Sequence, residues 1–89
     1  MNRLKDKIIV VTGAAMGQGA AEAALFAAEG AKVIAGDIAM EQLKETVDRI
    51  NAAYPGSALA VKLDVSSGED WDRAVAAGVE QFGGINGLI

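Results

Sequence analysis

Apolar residues form short continuous runs along the chain. Runs of β-branched and aliphatic residues occupy positions 7–12, 32–37 and 58–64, and a fourth run begins at Ile85. Runs of this length and composition are typical of strands buried on both faces of a parallel sheet. We therefore predict strands at these three positions and a fourth strand over residues 85–89.

The segments between these runs have helical character. An alanine-rich segment from Gly17 or Gln18 to Glu29 predicts the first helix, which Gly30 ends. Two further helices are predicted from stripes in which apolar residues recur every three or four positions, and we expect both stripes to pack in the core. The first stripe, over residues 39–53, consists of Met40, Leu43, Val47 and Ile50, and Tyr54-Pro55-Gly56 ends that helix. The second stripe consists of Trp71, Val75, Val79 and Phe82. Its helix follows a cap at Ser66 or Ser67 and ends before Gly83-Gly84.

The element order β-α-β-α-β-α-β predicts a parallel sheet, because parallel strands need connections long enough to hold a helix. The expected fold is α/β, with a Rossmann-type sheet of strand order 3-2-1-4 and the third helix alone on one face. We interpret residues 1–89 as one incomplete domain, the N-terminal dinucleotide-binding half, truncated in the fourth strand. The apolar edge of that strand predicts self-association, or pairing with a missing C-terminal half.

A glycine-spaced turn joins the first strand to the first helix. Gly13 permits a tight turn, while Gly17 and Gly19 leave room for a phosphate and for close helix packing. The helix start offers unpaired N–H groups and a partial positive charge to an anion. Asp37 closes the second strand, where a carboxylate can bind a ribose. The pattern predicts a dinucleotide site; the alternative is an ordinary glycine-rich turn.

Composition excludes several kinds of site. The chain has no cysteine and no histidine, which removes disulfides, thiolate ligands and the commonest general base, and we expect no metal site. A net charge of −4 with scattered lysines and arginines argues against nucleic acid as a partner. The longest apolar run is too short for a bilayer and no signal region precedes it, so we expect a cytoplasmic protein without a membrane partner.

The sequence Thr12-Gly13-Ala14-Ala15-Met16-Gly17-Gln18-Gly19 resembles the TGxxxGxG fingerprint of the short-chain dehydrogenase/reductase family. The resemblance continues through Asp37, Asp64-Val65 and residues 82–89, so it covers nearly the whole chain. It implies a pyrophosphate-binding site at Gly13, Gly17 and Gly19, with the backbone around Met16 and Gln18. It implies that the Asp37 carboxylate binds the ribose, with Ile38 near the adenine. It also implies that Asp64 and Val65 line the edge of the adenine. The chain departs from the family at Gln18, which is usually isoleucine or leucine.

The resemblance implies the NAD-binding segment of an oxidoreductase that transfers hydride between a nicotinamide cofactor and an alcohol or carbonyl substrate. NAD is expected over NADP, because Asp37 would repel a 2′-phosphate and Met16 stands where NADP-preferring members often carry a basic residue. The family's catalytic serine and Tyr-x-x-x-Lys pair have no counterpart, since Tyr54 has Ala58 four positions later. We therefore expect no catalytic residue here and no turnover by this chain alone. The alternative is a non-catalytic nucleotide-binding or interaction module that uses the same half-fold.

Overall fold

Strands and helices alternate along the chain in the computed structural model, which describes residues 4–84 and 87–88. The elements are β1 (Ile8–Thr12), α1 (Gly17–Ala28), β2 (Lys32–Asp37), α2 (Met40–Ala53), β3 (Ala58–Lys62), α3 (Gly68–Phe82) and β4 (Gly87–Leu88). This alternation confirms the predicted α/β class and Rossmann-like architecture. β1 begins one residue later than predicted and β3 ends two residues earlier. Ile85, Asn86 and Ile89 of the predicted fourth strand lie outside the described residues.

The strands form one parallel sheet. β1 pairs with β2 from Ile8 opposite Lys32 to Thr12 opposite Gly36, and β2 pairs with β3 as far as Asp37 opposite Lys62. The two residues of β4 lie beside β1, so the strands run in the order β3-β2-β1-β4. Because the strands are parallel, the loops that follow β1, β2 and β3 leave the sheet at the same edge.

Helices cover both faces of this sheet. α1 and α2 pack over one face around Val11, Val33 and Leu43, which are fully buried. α3 packs over the opposite face around Val10 and Ile34. Neighbouring strand residues point to opposite faces, so alternate residues of β1 and β2 belong to the two separate apolar clusters. Crossovers of one common hand explain this arrangement, in which α3 is the only described helix on its face.

The apolar stripe of α2 packs as predicted, whereas the stripe of α3 does so only at its two ends, where Trp71 and Phe82 pack against the core. In α2, Leu43, Val47 and Ile50 are buried. In α3, the prediction is wrong for Val75 and Val79, whose side chains are 46% and 52% exposed. The buried residues of α3 recur every four positions: Asp70, Ala74 and Gly78.

Two physical causes explain why α3 is rotated about its axis so that Ala74 and Gly78, and not Val75 and Val79, are buried. Small side chains at Ala74 and Gly78 allow the helix to lie close to the sheet. At the helix start, the buried Asp70 side chain accepts a hydrogen bond from the Asp64 N–H group, at 2.8 Å, which fixes the first turn against the loop that follows β3. Hydrogen bonding at its start and close packing along its length therefore set the face that α3 presents to the sheet, and Val75 and Val79 lie outside that face.

Candidate cofactor site

The loops after β1, β2 and β3 are joined to one another at the carboxyl edge of the sheet. The Ala14 N–H group donates to the Gly36 carbonyl, and the Leu63 N–H group donates to the Asp37 carbonyl, each at 3.1 Å. Every residue that the sequence predicts to contact a cofactor lies at this edge. These residues are Gly13, Met16, Gly17, Gln18 and Gly19 after β1, Asp37 and Ile38 at the end of β2, and Asp64 and Val65 after β3.

The three glycines of the turn have two different roles. Gly13 and Gly17 both have φ near +64°, in the left-handed region that disfavours residues with a side chain. Gly19 lies in the helix, and a Cβ atom added there would clash with the carbonyl oxygen of Gly13 and lie 2.7 Å from its carbonyl carbon. Gly19 therefore permits the start of α1 to pack directly against the turn.

The start of α1 carries no capping group from the protein. Met16 occupies the cap position without a side-chain hydrogen bond, and no acidic residue lies in the first turn. α3 differs, because the Ser67 side chain accepts from the Asp70 N–H group and two carboxylates stand in its first turn. First-turn N–H groups have no acceptor within their own helix, and the helix dipole is positive at this end. The start of α1 is thus suited to an anion from outside the chain.

The carboxylate of Asp37 binds backbone groups of two loops. Its Oδ2 atom accepts from the Ala15 N–H group at 3.1 Å, and its Oδ1 atom accepts from the Ala39 N–H group at 3.0 Å. Each carboxylate oxygen has two acceptor positions, so each retains one for a further donor such as a ribose hydroxyl. Asp37 therefore ties the glycine turn to the end of β2 and still presents acceptors at the edge.

Thr46, which is not among the residues predicted from the sequence, binds the carbonyl group of Ala15. The hydroxyl group of Thr46, in α2, donates to the Ala15 carbonyl at 2.7 Å, and both residues are buried. One signal in the sequence points to such a contact. Thr46 lies three residues after Leu43 and four before Ile50, so it is a polar residue on the apolar face of α2, where a hydroxyl needs a partner.

The loop after β3 is organised around Asp64. Its Oδ1 atom accepts from the Ser66 hydroxyl at 2.7 Å and from the Ser66 N–H group at 2.9 Å. These two hydrogen bonds, chiefly that of the hydroxyl, hold the pKa of the Asp64 carboxyl below its ordinary value. Asp64 is exposed and keeps its negative charge to lower pH than a free aspartate does.

Side chains in the first turn of α3 also hold the loop after β3. Asp70 accepts from the Asp64 N–H group through Oδ2 and from Arg73 through Oδ1, each at 2.8 Å. The indole N–H group of Trp71 donates to the Val65 carbonyl at 2.8 Å. The apolar periodicity predicts only a packing role for Trp71, and Asp70 is not among the residues predicted to lie at the site. Both side chains in fact support the two residues expected at an adenine edge.

One large apolar side chain from each loop is exposed at this edge. Met16, Ile38 and Val65 are 59%, 64% and 59% exposed. Exposed aliphatic groups beside polar loop atoms suit a flat, partly apolar group such as a nucleobase. Within residues 4–84 and 87–88, no three histidine, cysteine, aspartate or glutamate side chains are grouped to hold a metal ion.

Comparison with known proteins assigns the family. The family model described as short chain dehydrogenase matches residues 7–89. The chain belongs to this family. Its members are oxidoreductases that use a nicotinamide cofactor.

Individual short-chain dehydrogenases resemble the chain over almost its whole length. A 2,5-dichloro-2,5-cyclohexadiene-1,4-diol dehydrogenase of Sphingobium indicum is 49% identical over 98% of this chain and 34% of its own length. The trans-4-hydroxycyclohexanecarboxylate dehydrogenase of Sinomonas cyclohexanicum is 37% identical over 99% of this chain and 36% of its own length. A short-chain dehydrogenase/reductase of unknown function from Caenorhabditis elegans, solved with cofactor, superposes with a TM-score of 0.89 at 32% identity, covering 97% of this chain and 32% of that one.

The chain spans about a third of the length of the curated relatives it matches. No helix in the part of the chain that the structure describes is long and apolar enough to cross a membrane.

Proposed function

We propose that residues 1–89 form the N-terminal dinucleotide-binding half of a Rossmann domain and bind NAD at the carboxyl edge of the sheet. The observation that carries this proposal is the placement of Asp37. Its carboxylate holds the glycine turn through the Ala15 N–H group, directly before the uncapped start of α1. N–H groups that can donate to a phosphate and a carboxylate that can accept from a ribose thus lie side by side, as one dinucleotide requires.

The pyrophosphate is assigned to the turn and the start of α1. Gly13, Gly17 and Gly19, with the backbone of Met16 and Gln18, leave N–H groups accessible, since all but Gly19 are exposed. Backbone N–H groups and a helix dipole stabilise a bound anion without a positively charged side chain. This matters here because no lysine or arginine lies in the turn.

The adenosine is assigned to the loops after β2 and β3. Asp37 would accept from the ribose hydroxyls, with Ile38 near the base. Ser66 donates to the Oδ1 atom of Asp64, so Asp64 would accept from the exocyclic amine of adenine through its Oδ2 atom. The Val65 backbone would lie at the same edge. The negative charge of Asp37 favours NAD over NADP, because a 2′-phosphate would meet a like charge.

The whole protein is proposed to be an oxidoreductase that transfers hydride between this cofactor and an alcohol or carbonyl substrate. The nicotinamide supplies the hydride chemistry. The residues of this chain bind and orient the cofactor, and none of them matches the family's serine or Tyr-x-x-x-Lys pair. Without a positioned proton donor, we propose that the 89-residue chain binds cofactor and does not turn over substrate.

Trp71 provides the test of binding, since it is the only tryptophan of the chain. Its indole N–H group bonds the carbonyl of Val65. We expect NAD to change the Trp71 emission in a saturable way, and Val65→Ala to weaken the apparent affinity. Titration with inorganic pyrophosphate is the control, because it should bind the turn without reaching Val65. Emission that does not respond to saturating NAD would contradict the placement of the adenine.

The free side of β4 is the proposed contact for self-association or for a further strand. Among the described strands, β4 pairs with β1 alone, and an unpaired strand edge is a template for pairing. We expect the sedimentation coefficient of the 89-residue chain to rise with protein concentration. A coefficient that stays at the monomer value across a hundredfold dilution series would contradict this assignment.

A further inference from the structure

The backbone of Ala15 is held at both of its polar groups. Its N–H group donates to the Asp37 carboxylate at 3.1 Å, and its carbonyl accepts from the Thr46 hydroxyl at 2.7 Å. Asp37 and Thr46 come from different elements, β2 and α2. Ala15 itself is buried, with 2% of its surface exposed, so neither group has water as a substitute partner.

We propose that Thr46 is a positioning residue for cofactor binding, which orients the peptide group between Ala15 and Met16. This inference rests on the proposed function, because it assigns Thr46 to the same pyrophosphate site. Thr46 would not touch the cofactor. It would act through the backbone of the turn, and so determine how well the N–H groups before α1 are placed.

The geometry of the peptide group explains the effect. The peptide bonds among the described residues are trans, and in a trans peptide the carbonyl and the following N–H group point in opposite directions. Because the Ala15 carbonyl points toward Thr46 in α2, the Met16 N–H group points away from α2. Met16 is also the cap residue of α1, so this peptide sets the direction in which the first turn of the helix begins.

The hydroxyl group of Thr46, and not its shape, carries the proposed role. A threonine inside a helix often bonds the carbonyl four residues earlier, which here belongs to Gln42. In this structure the hydroxyl instead reaches a residue 31 positions away in the sequence. Valine has nearly the same shape and no donor, whereas serine keeps the donor and loses the methyl group. Comparing the valine and serine variants therefore separates the effect of the hydrogen bond from the effect of side-chain packing.

The test compares the full 89-residue chain with its Thr46→Val and Thr46→Ser variants. The dissociation constant for NAD is measured by calorimetry, and amide hydrogen exchange of residues 15–19 is measured without cofactor. We expect Thr46→Val to raise the dissociation constant about tenfold and to speed exchange in the turn, because a buried acceptor loses its donor. Thr46→Ser should stay within about twofold of the parent chain, since the donor remains.

Val47→Ala is the matched control for a merely structural role. Val47 is the neighbouring buried residue of α2 and packs in the core. This variant should lower the melting temperature and leave the NAD affinity of the folded protein and the exchange of the turn unchanged. If Thr46→Val does not fold, Thr46→Ala replaces it, because alanine also lacks the hydroxyl and favours the helix.

The outcomes distinguish this inference from the proposed function. Parent-like NAD affinity and parent-like exchange in the hydroxyl-free variant would overturn the role of Thr46. If the parent chain itself does not bind NAD, the proposed function fails, and the exchange measurement still decides whether Thr46 positions the turn. Faster exchange in Thr46→Val, with parent-like exchange in Thr46→Ser and Val47→Ala, supports the role.

Discussion

Gly19→Ala is expected to destabilise the chain severely and to abolish cofactor binding. The added Cβ atom would clash severely with the carbonyl oxygen of Gly13. The position of a Cβ atom is set by its own backbone and the Gly13 carbonyl is backbone, so neither atom can rotate away and the turn must separate from α1. Overpacking typically costs about 1–3 kcal/mol, and we expect the upper end or more here because the contact is with backbone. For a domain of this size, a loss of about 3 kcal/mol lowers the melting temperature by more than about 10 °C.

Gly68→Ala is the matched control for this prediction. Gly68 also lies at the start of a helix, and a Cβ atom added there meets nothing within 4 Å. Thermal unfolding of the two variants, followed by circular dichroism, should show a large loss for Gly19→Ala and a change within about 1 kcal/mol for Gly68→Ala. Equal melting temperatures for Gly19→Ala and the parent chain would contradict the packing of α1 against the turn.

The sequence predicted the features that arise from local periodicity. Short apolar runs located β1 and β2, and β2 ends at Asp37 as predicted. The stripe that includes Leu43 and Val47 identified the buried face of α2. Spacing is sufficient for these features because each element buries its own apolar positions against the sheet, whatever the detailed arrangement of the loops.

The contacts that organise the site could not be predicted in the same way. The Thr46 hydroxyl meets Ala15, and the Trp71 indole meets Val65, across separate elements. Such hydrogen bonds depend on where two elements meet in space, which hydropathy does not specify. The same limit explains the error at Val75: its stripe is apolar, but the rotation of α3 is set by Asp70 and by small residues facing the sheet.

Asp37→Ala is expected to weaken NAD binding and to narrow the preference for NAD over NADP. The substitution removes the ribose acceptor together with the hydrogen bonds to Ala15 and Ala39. It also removes a negative charge that would lie within about 4 Å of a 2′-phosphate, a repulsion of about 4 kcal/mol at an effective dielectric near 20. Solvent and salt reduce this value, so we expect the parent chain to prefer NAD by about tenfold to a few hundredfold.

Two further variants separate the charge from the other effects. Asp48→Ala removes the same charge from an exposed position in α2 and should leave both affinities close to those of the parent chain. Asp37→Asn keeps one side-chain oxygen and removes the charge, so it should improve NADP binding relative to NAD. If Asp48→Ala changed the preference as much as Asp37→Ala, the effect would come from net charge and not from the ribose site.

Calorimetric titration of the 89-residue chain with NAD and with NADP, in the same buffer and salt, tests the central claim most directly. The claim is that a dinucleotide binds at the edge formed by the glycine turn, Asp37 and the loop after β3. The predicted result is saturable binding of one NAD per chain and weaker binding of NADP, with the difference reduced in Asp37→Ala. Folded chain that releases no binding heat with NAD, or that binds NADP as tightly as NAD, would contradict it.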